Sequence, residues 1–194
     1  MDHVGEGKKS QHYVFMRLMP PVIVWGGLEK LMLQWFERID LTRCRATLVV
    51  SRGGGEIYSK YLKAKNLPVD VVEFPFRVNF RYTESFFSRI AKTFRLLKSL
   101  KPNQIMFFQG SFTDFDLSHI LAAFLTAKGN VYMHENLGAP EPSVKSSKKY
   151  FGFLPGVGLW WYGERYLTPL RARFCKKIFV VSSEIKYRMV KFWH

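Results

Sequence analysis

The sequence predicts a Rossmann-like α/β fold, in which a mostly parallel sheet of about six or seven strands lies between two layers of helices. Short apolar runs alternate six times with segments whose apolar residues recur at helical spacing. The run over 46–50 is apolar or β-branched at every position and does not alternate with charged residues, which is typical of a strand buried on both faces. Right-handed crossovers between such strands place helices on both faces and gather the strand carboxyl ends along one edge.

The first β-α unit is the most informative part of the chain. A strand is predicted over 13–19, Pro20 and Pro21 interrupt regular pairing, and two glycines, Gly26 and Gly27, precede an amphipathic helix that ends near residue 40. Glycines without a Cβ at a helix start let an anion such as a diphosphate approach the backbone N–H groups. Two glycines are also an ordinary connector between a strand and a helix, so the residues alone leave both interpretations open.

The remaining elements follow the same alternation. Further strands are predicted over 46–50, 69–74, 105–108, 130–134 and 178–181, and helices over 56–65, 85–100, 117–128, 161–176 and from 183 onward. In the helix over 85–100 the apolar stripe includes Phe86 and Phe87, with Arg89 and Lys92 mostly opposite. The segment 135–160 contains several prolines and glycines and is predicted to be irregular.

Length and composition limit the function classes. The 194 residues suit one domain over 13–194 after a mobile leader over 1–12, and a formal charge of +15 favours anionic partners. Cys44 and Cys175 form no metal-ligand spacing, and the chain has no secretory or membrane-spanning apolar run, so we expect a cytoplasmic protein that can touch the inner face of a membrane. A non-catalytic basic module for nucleic acid or anionic membrane is the alternative, although no zinc-finger spacing or RNA-recognition signature is present.

Two further motifs exclude common nucleotide-binding classes. The turn Ser51–Gly55 carries three glycines after a strand but no Gly-Lys-Ser/Thr ending, so it is interpreted as a flexible connector rather than a P-loop. Neither glycine cluster has the Gly-x-Gly-x-x-Gly pattern of a dinucleotide-dependent oxidoreductase.

Candidate site residues lie where predicted strands end. Gln109 and Gly110 follow the fourth strand, and His134 ends the fifth strand. Ligands of open parallel sheets bind outside this carboxyl edge. A lone histidine at the end of a buried strand is also a common structural residue, so its role stays open at this point.

Three motifs in order resemble the N-terminal domain of GT-B glycosyltransferases, most closely the family 4 retaining enzymes. They are Trp25-Gly-Gly-Leu-Glu-Lys30, Val131-Tyr-Met-His-Glu-Asn136 and the segment 173–186, which contains a strand followed by Ser-Ser-Glu-Ile-Lys. The resemblance covers about residues 13–192.

The resemblance implies transfer of a sugar from a nucleotide diphosphate sugar to a glycan or lipid-linked acceptor, with retention at the anomeric carbon and no metal or further cofactor. It places the donor diphosphate at Gly26 and Gly27 and assigns a catalytic role to His134. The other cleft and acceptor candidates are Gln109, Gly110, Glu135 and Asn136.

The family's second domain, which holds the nucleotide, is missing from this sequence. We therefore expect that half to come from a C-terminal domain or a separate subunit, and this fragment alone to be inactive. Glu29 and Glu37 have the family's Glu-x7-Glu spacing, but they lie on the first helix and are interpreted as surface carboxylates.

The aromatic segment 150–162 has two interpretations. Aromatic residues flanked by lysine and arginine favour a membrane interface, whereas burial against the sheet or a partner domain is the more ordinary fate of such residues. The candidates for membrane or partner contact are Phe153, Trp160, Trp161, Lys148 and Lys149.

Overall fold

Six parallel strands form the central sheet. This computed structural model describes residues 11–18, 27–75, 84–109, 117–135, 149–150, 154–155 and 166–192. The strands of the sheet are β1 (Gln11–Arg17), β2 (Cys44–Val50), β3 (Val69–Glu73), β4 (Gln104–Gln109), β5 (Val131–Glu135) and β8 (Lys177–Val180), and their order in the sheet is β3-β2-β1-β4-β5-β8. β6 (Lys149–Tyr150) and β7 (Leu154–Pro155) form a separate antiparallel pair. The predicted Rossmann-like parallel sheet is confirmed.

Helices follow the strands in the predicted alternation. They are α1 (Gly27–Arg38), α2 (Gly55–Ala64), α3 (Phe86–Leu100), α4 (Leu117–Thr126), α5 (Thr168–Ala172) and α6 (Ser183–Phe192). The start of α3 is set by Ser85, whose hydroxyl accepts a hydrogen bond from the Ser88 N–H. Its end is set by Lys101 in the left-handed region, directly before Pro102.

Alternate residues of each strand enter two different core layers. On the face that we call the α1 face, α1 and α2 pack on Phe15, Leu48 and Phe108. Phe15 contacts Phe36 of α1 edge to face, with ring centroids 4.7 Å apart. On the opposite face, α3 and α4 pack on apolar residues such as Val14. The sheet is therefore sandwiched between two helix layers, which fixes α1 on the same side as the odd-numbered residues of β1.

The amino-terminal strand begins earlier than predicted. We expected a mobile leader through residue 12, but Gln11 and His12 belong to β1, and His12 is buried. The His12 Nδ1–H donates to the Leu100 carbonyl at 2.7 Å, and Nε2 pairs with the Thr47 hydroxyl at 2.8 Å. These bonds tie β1 to β2 and to the end of α3, which explains why two polar residues extend the strand.

The helix predicted over 161–176 is shorter in the described residues. α5 ends at Ala172, because the Phe174 and Cys175 N–H groups bond to carbonyls three residues back and the chain turns. The Lys176 N–H then reaches the Val131 carbonyl and starts β8. The segment predicted to be irregular also contains the short β6–β7 pair.

The apolar stripe predicted for α3 is buried only in its later turns. Phe87 is 79% exposed and Phe86 is 37% exposed, whereas Leu97 is fully buried. The first turn of α3 therefore extends beyond its packing partners. Arg89, predicted to lie opposite the stripe, is instead partly buried and donates to the Glu84 carbonyl.

Candidate functional site

Among the described residues, four predicted site residues lie at one edge of the central sheet: Gly27, Gln109, His134 and Glu135. Phe108 of β4 pairs in register with His134 of β5, and Phe107 pairs with Met16, which precedes Arg17 at the end of β1. Arg17, Phe108 and His134 therefore form a row at one level across three adjacent strands, which we call the carboxyl-edge row. At the usual strand spacing, roughly 10 Å separate its two ends. α1 begins on this same face at the same edge.

A buried ion pair connects this edge to α1. Arg17 Nε and Nη2 donate to Oε1 of Glu29 at 3.0 and 2.9 Å, and both side chains are almost fully buried. We expected Glu29 and Glu37 to be surface carboxylates; Glu37 is exposed, but Glu29 is not. The sequence feature that could have indicated this burial is an arginine in an otherwise apolar strand followed by a carboxylate in the first turn of the next helix. The helix dipole also favours a negative charge in that turn. The pair fixes the start of α1 against the end of β1.

Gly27, the first residue of α1, faces open space. A Cβ built at this position meets no atom within 4 Å, and the residue does not have the positive φ recorded for Gly53 and Gly129. Neither packing nor backbone conformation in the described part of the chain thus requires glycine at 27. A helix of 12 residues that starts with an accessible backbone can receive an anion. Gly26 lies outside the described residues.

The second glycine turn is already filled by a carboxylate. The Gly55 N–H donates to Glu73 Oε1 at 2.9 Å. Hydrogen bonds from the Gly55 and Gly53 backbones lower the pKa of Glu73 below its usual value. A Cβ on Gly55 would lie 2.8 Å from the same oxygen. This geometry agrees with a connector between β2 and α2 rather than a phosphate loop.

His134 is buried and electrically neutral. Its side chain is 4% exposed and stacks on Phe108, with the two rings nearly parallel and their centroids 5.7 Å apart. Desolvation lowers its pKa to about 4. Within the part of the chain that the structure describes, its Nδ1 atom has no hydrogen-bond partner. A neutral imidazole donates from one nitrogen and accepts at the other, so His134 is suited to orienting a hydroxyl group.

The other candidate residues are only partly described. Gln109 and Glu135 end β4 and β5 and pair with each other in register, which places their backbones beside His134. Gly110 and Asn136 lie outside the described residues. So do Phe153, Trp160, Trp161 and Lys148, whereas Lys149 begins β6.

The two cysteine thiols are protonated, and the described ranges contain no cluster of metal ligands. No group of three or more His, Cys, Asp or Glu side chains there is placed to hold a metal ion. Burial raises the pKa of the Cys175 thiol to about 12, and burial also raises the pKa of Cys44. Both thiols stay protonated at neutral pH, which makes them poor nucleophiles. Of the helices described, none is both long and apolar enough to cross a bilayer.

We predict that breaking the Arg17–Glu29 pair destabilises the fold strongly. Arg17→Met leaves a buried carboxylate without its guanidinium and should lower the free energy of unfolding by about 3–5 kcal/mol, more than the double variant Arg17→Met/Glu29→Leu. Urea denaturation measures both. The control is Arg45→Met, which breaks the exposed Arg45–Asp70 pair and should cost less than about 1 kcal/mol. If Arg17→Met lowered the free energy of unfolding no more than Arg45→Met does, the structural role of the buried pair would be contradicted.

We also predict that His134 makes stability depend on pH. Its folded pKa of about 4 lies below its ordinary value of 6.5, so its contribution is complete above pH 6.5 and is lost as the pH falls toward 4. His134→Phe keeps a ring against Phe108 and should reduce the slope of unfolding free energy in this window by up to about 1.4 kcal/mol per pH unit. Urea titrations at a series of pH values provide the measurement. His12 titrates in both proteins and cancels, so equal slopes would refute the prediction.

Comparison with known proteins supports the fold. At the level of sequence the chain matches no known family and no curated protein. Its structure is similar to the crystal structure of Acinetobacter baumannii MurG, with a TM-score of 0.51 and 16% sequence identity. The match covers 90% of this chain and 42% of that MurG chain, so this chain spans less than half its length. The similarity supports a GT-B-like fold, of which this chain matches the N-terminal half, and does not favour family 4 in particular.

Proposed function

We propose that this chain is the N-terminal, acceptor-side domain of a retaining glycosyltransferase. It would transfer a sugar from a nucleotide diphosphate sugar to a sugar or lipid-linked acceptor. The observation that carries the proposal is the placement of an open helix start at Gly27 and a buried, neutral His134 on one face of one sheet edge. Glycosyl transfer needs both an anion-stabilising group and a group that orients a hydroxyl, and this edge offers one of each.

The helix start would stabilise the leaving group. A departing nucleoside diphosphate gains negative charge in the transition state, and fixed backbone N–H groups stabilise that charge without having to reorganise. Arg17 contributes indirectly, because its ion pair with Glu29 positions the first turn of α1. Gly26 belongs to the same proposed diphosphate contact, since it directly precedes this turn.

His134 would act on the sugar or the acceptor by hydrogen bonding. An imidazole whose pKa is about 4 is a weak base at neutral pH, so its function is to orient a hydroxyl rather than to remove its proton in the resting state. Gln109 and Glu135 would line the same cleft because they end the neighbouring strands β4 and β5, and Gly110 and Asn136 would join them as the next residues in sequence. Retention of anomeric configuration is part of the proposal and rests on the sequence resemblance alone.

The nucleotide would be bound mainly by a second domain or subunit. This chain spans 42% of the MurG chain that it resembles in fold, and the carboxyl-edge row offers groups for a diphosphate and a hydroxyl. We therefore expect this chain to bind the donor weakly by itself and to need no cofactor beyond the donor.

A second candidate function, binding to an anionic membrane, is favoured by the first turns of α3. The rings of Phe86 and Phe87 contact each other and are exposed. Arg95 and Lys98 are exposed farther along the helix. Exposed aromatic residues beside basic ones suit insertion at an anionic lipid surface, and the net charge of +15 acts in the same direction. Such contact would place the carboxyl edge, where α3 begins, next to a lipid-linked acceptor.

Donor binding tests the transferase proposal. UDP-, GDP- and ADP-sugars and inorganic pyrophosphate should shift the amide signals of Gly27 and Leu28 in ¹H–¹⁵N spectra at millimolar concentration. Gly27→Ala should fold normally, because its Cβ enters open space, and should bind these ligands about tenfold more weakly, a loss of about 1.4 kcal/mol. The control is Gly54→Ala in the second glycine turn, whose Cβ would lie 3.2 Å from the Ser51 carbonyl oxygen; with its fold checked by circular dichroism, it should leave binding unchanged.

Two results would overturn the proposal. One is equal binding by Gly27→Ala and the unmodified chain. The other is a ligand-induced shift that is centred on Gly53 to Gly55 instead of on Gly27. Turnover of a nucleotide sugar by this chain alone would contradict the requirement for a second half.

Vesicle flotation tests the membrane function separately. The chain should float with phosphatidylglycerol vesicles and less with phosphatidylcholine vesicles, and Phe87→Ser should reduce the bound fraction several-fold because it removes the exposed aromatic anchor. Leu125→Ser on α4 is the control, since Leu125 is also exposed and apolar but lies outside the α3 surface. Equal loss in both variants, or no binding at all, would rule out the α3 surface as the membrane contact.

A further inference from the structure

The α1 face of the sheet opens into a cavity at the amino edge, opposite the proposed transfer site. The cavity has a volume of about 1080 Å³ and is lined by the first residues of β1, β2 and β4 and by the connection from α1 to β2. Tyr13, at the level of the cavity, precedes Arg17 by four residues, so roughly 13 Å of strand separate it from the carboxyl-edge row. A ligand held here would lie outside the proposed diphosphate site.

At this cavity the helix layer on the α1 face does not fully cover the central strands β1 and β4. Tyr13 of β1 and Met106 of β4 are only half-buried in this cavity. Their neighbours Val14 and Ile105, which point to the opposite face, are fully buried. Central strands of a parallel sheet are normally covered on both faces, so the exposure is local to the α1 face at this edge.

Aromatic rings that are held in place form the walls. Trp35 of α1 and Tyr132 of β5 both line the cavity. Phe179 of β8 braces each of them, at 5.4 Å from the Trp35 ring and at 6.3 Å, in a stacked arrangement, from the Tyr132 ring. Rings fixed by packing bind a flat ligand surface with little loss of side-chain entropy.

The rim is polar and its charges balance. Gln11 and Gln104 contribute amide groups, and the Tyr13 hydroxyl donates to Gln11 Oε1 at 2.7 Å. Among the described lining residues the charged ones are Asp40 and Arg43, which pair with each other at 3.3 Å. The formal charges of the described lining cancel, so it offers an anion no net positive charge, and an acyl chain gains nothing from amides at the entrance.

We propose that this cavity is a binding site for a neutral carbohydrate. A sugar ring has an apolar face of C–H groups, which packs on tryptophan and tyrosine rings, and hydroxyl edges, which pair with amide and carboxylate groups. The combination of braced aromatic walls and a charge-balanced amide rim matches that chemistry. The inference is independent of the proposed donor site, because it rests on different residues at the other edge of the sheet.

Titration with neutral trisaccharides tests this site. Maltotriose, cellotriose and triacetylchitotriose are added to the ¹⁵N-labelled chain, and the indole N–H signal of Trp35 is followed after assignment through Trp35→Phe. At least one trisaccharide should shift this signal at millimolar concentration. Because Trp35→Ala removes the indole reporter, the affinities of all variants are taken from the backbone amide signal of Tyr132, which also lines the cavity. Trp35→Ala should bind the trisaccharide about tenfold more weakly, and Gln104→Leu, which keeps the side-chain size at the rim, several-fold more weakly. Tyr187→Ala, an exposed aromatic residue on α6, is the control and should bind normally.

A different class of ligand in this cavity would give a different result in the same titration. If inorganic pyrophosphate or an octyl glycol ether shifts the Trp35 indole signal and no trisaccharide does, the carbohydrate assignment is wrong. Unchanged affinity in Gln104→Leu and Trp35→Ala, with circular dichroism showing both folded, would place any sugar binding elsewhere. Failure of the donor experiment would appear as unchanged amide signals at Gly27 and would not alter the result at Trp35.

Discussion

The buried ion pair between Arg17 and Glu29 fixes where α1 begins relative to β1. Two opposite charges removed from water persist only if each is compensated, and here two of the guanidinium nitrogens donate to one carboxylate oxygen. Because Glu29 lies in the first turn of α1, the pair also fixes the direction of that helix and the position of Gly27. The helix in turn carries Trp35 to the amino edge of the same face. Both proposed sites thus depend on the placement of this helix.

The two glycine turns show that similar composition can have different chemical roles. At the turn before α2, the carboxylate of Glu73 occupies the N–H groups, so the chain satisfies its own anion site. At the start of α1 the carboxylate of Glu29 points back to Arg17 instead, and space around Gly27 stays open. The difference follows from which strand supplies a neighbouring acid: β3 ends in a glutamate beside α2, whereas β1 ends in an arginine beside α1.

Much of the fold follows from the chain itself, because strand and helix periodicities differ and parallel connections have one hand. That reasoning also placed Gly27 and His134 at one edge. It did not find the burial of Glu29, since helix periodicity assigns a polar residue to the surface unless a charged partner is known. It likewise could not show that Phe87 is exposed or that a cavity opens beside Trp35, because both depend on where covering elements end in three dimensions.

The net charge of the whole molecule and the local charges at the two sheet edges have different effects. A net charge of +15 raises the concentration of anions around the whole surface, but it cannot choose a binding site. At the carboxyl edge, Arg17 is neutralised by Glu29 and His134 is kept uncharged by burial, so in the proposed donor site the open helix start would supply the attraction for a diphosphate. At the amino edge the charges of Asp40 and Arg43 cancel, and aromatic rings would be the main contact surface of the proposed sugar site. Local neutralisation of cations would thus give the two proposed sites different ligand preferences on one strongly basic protein.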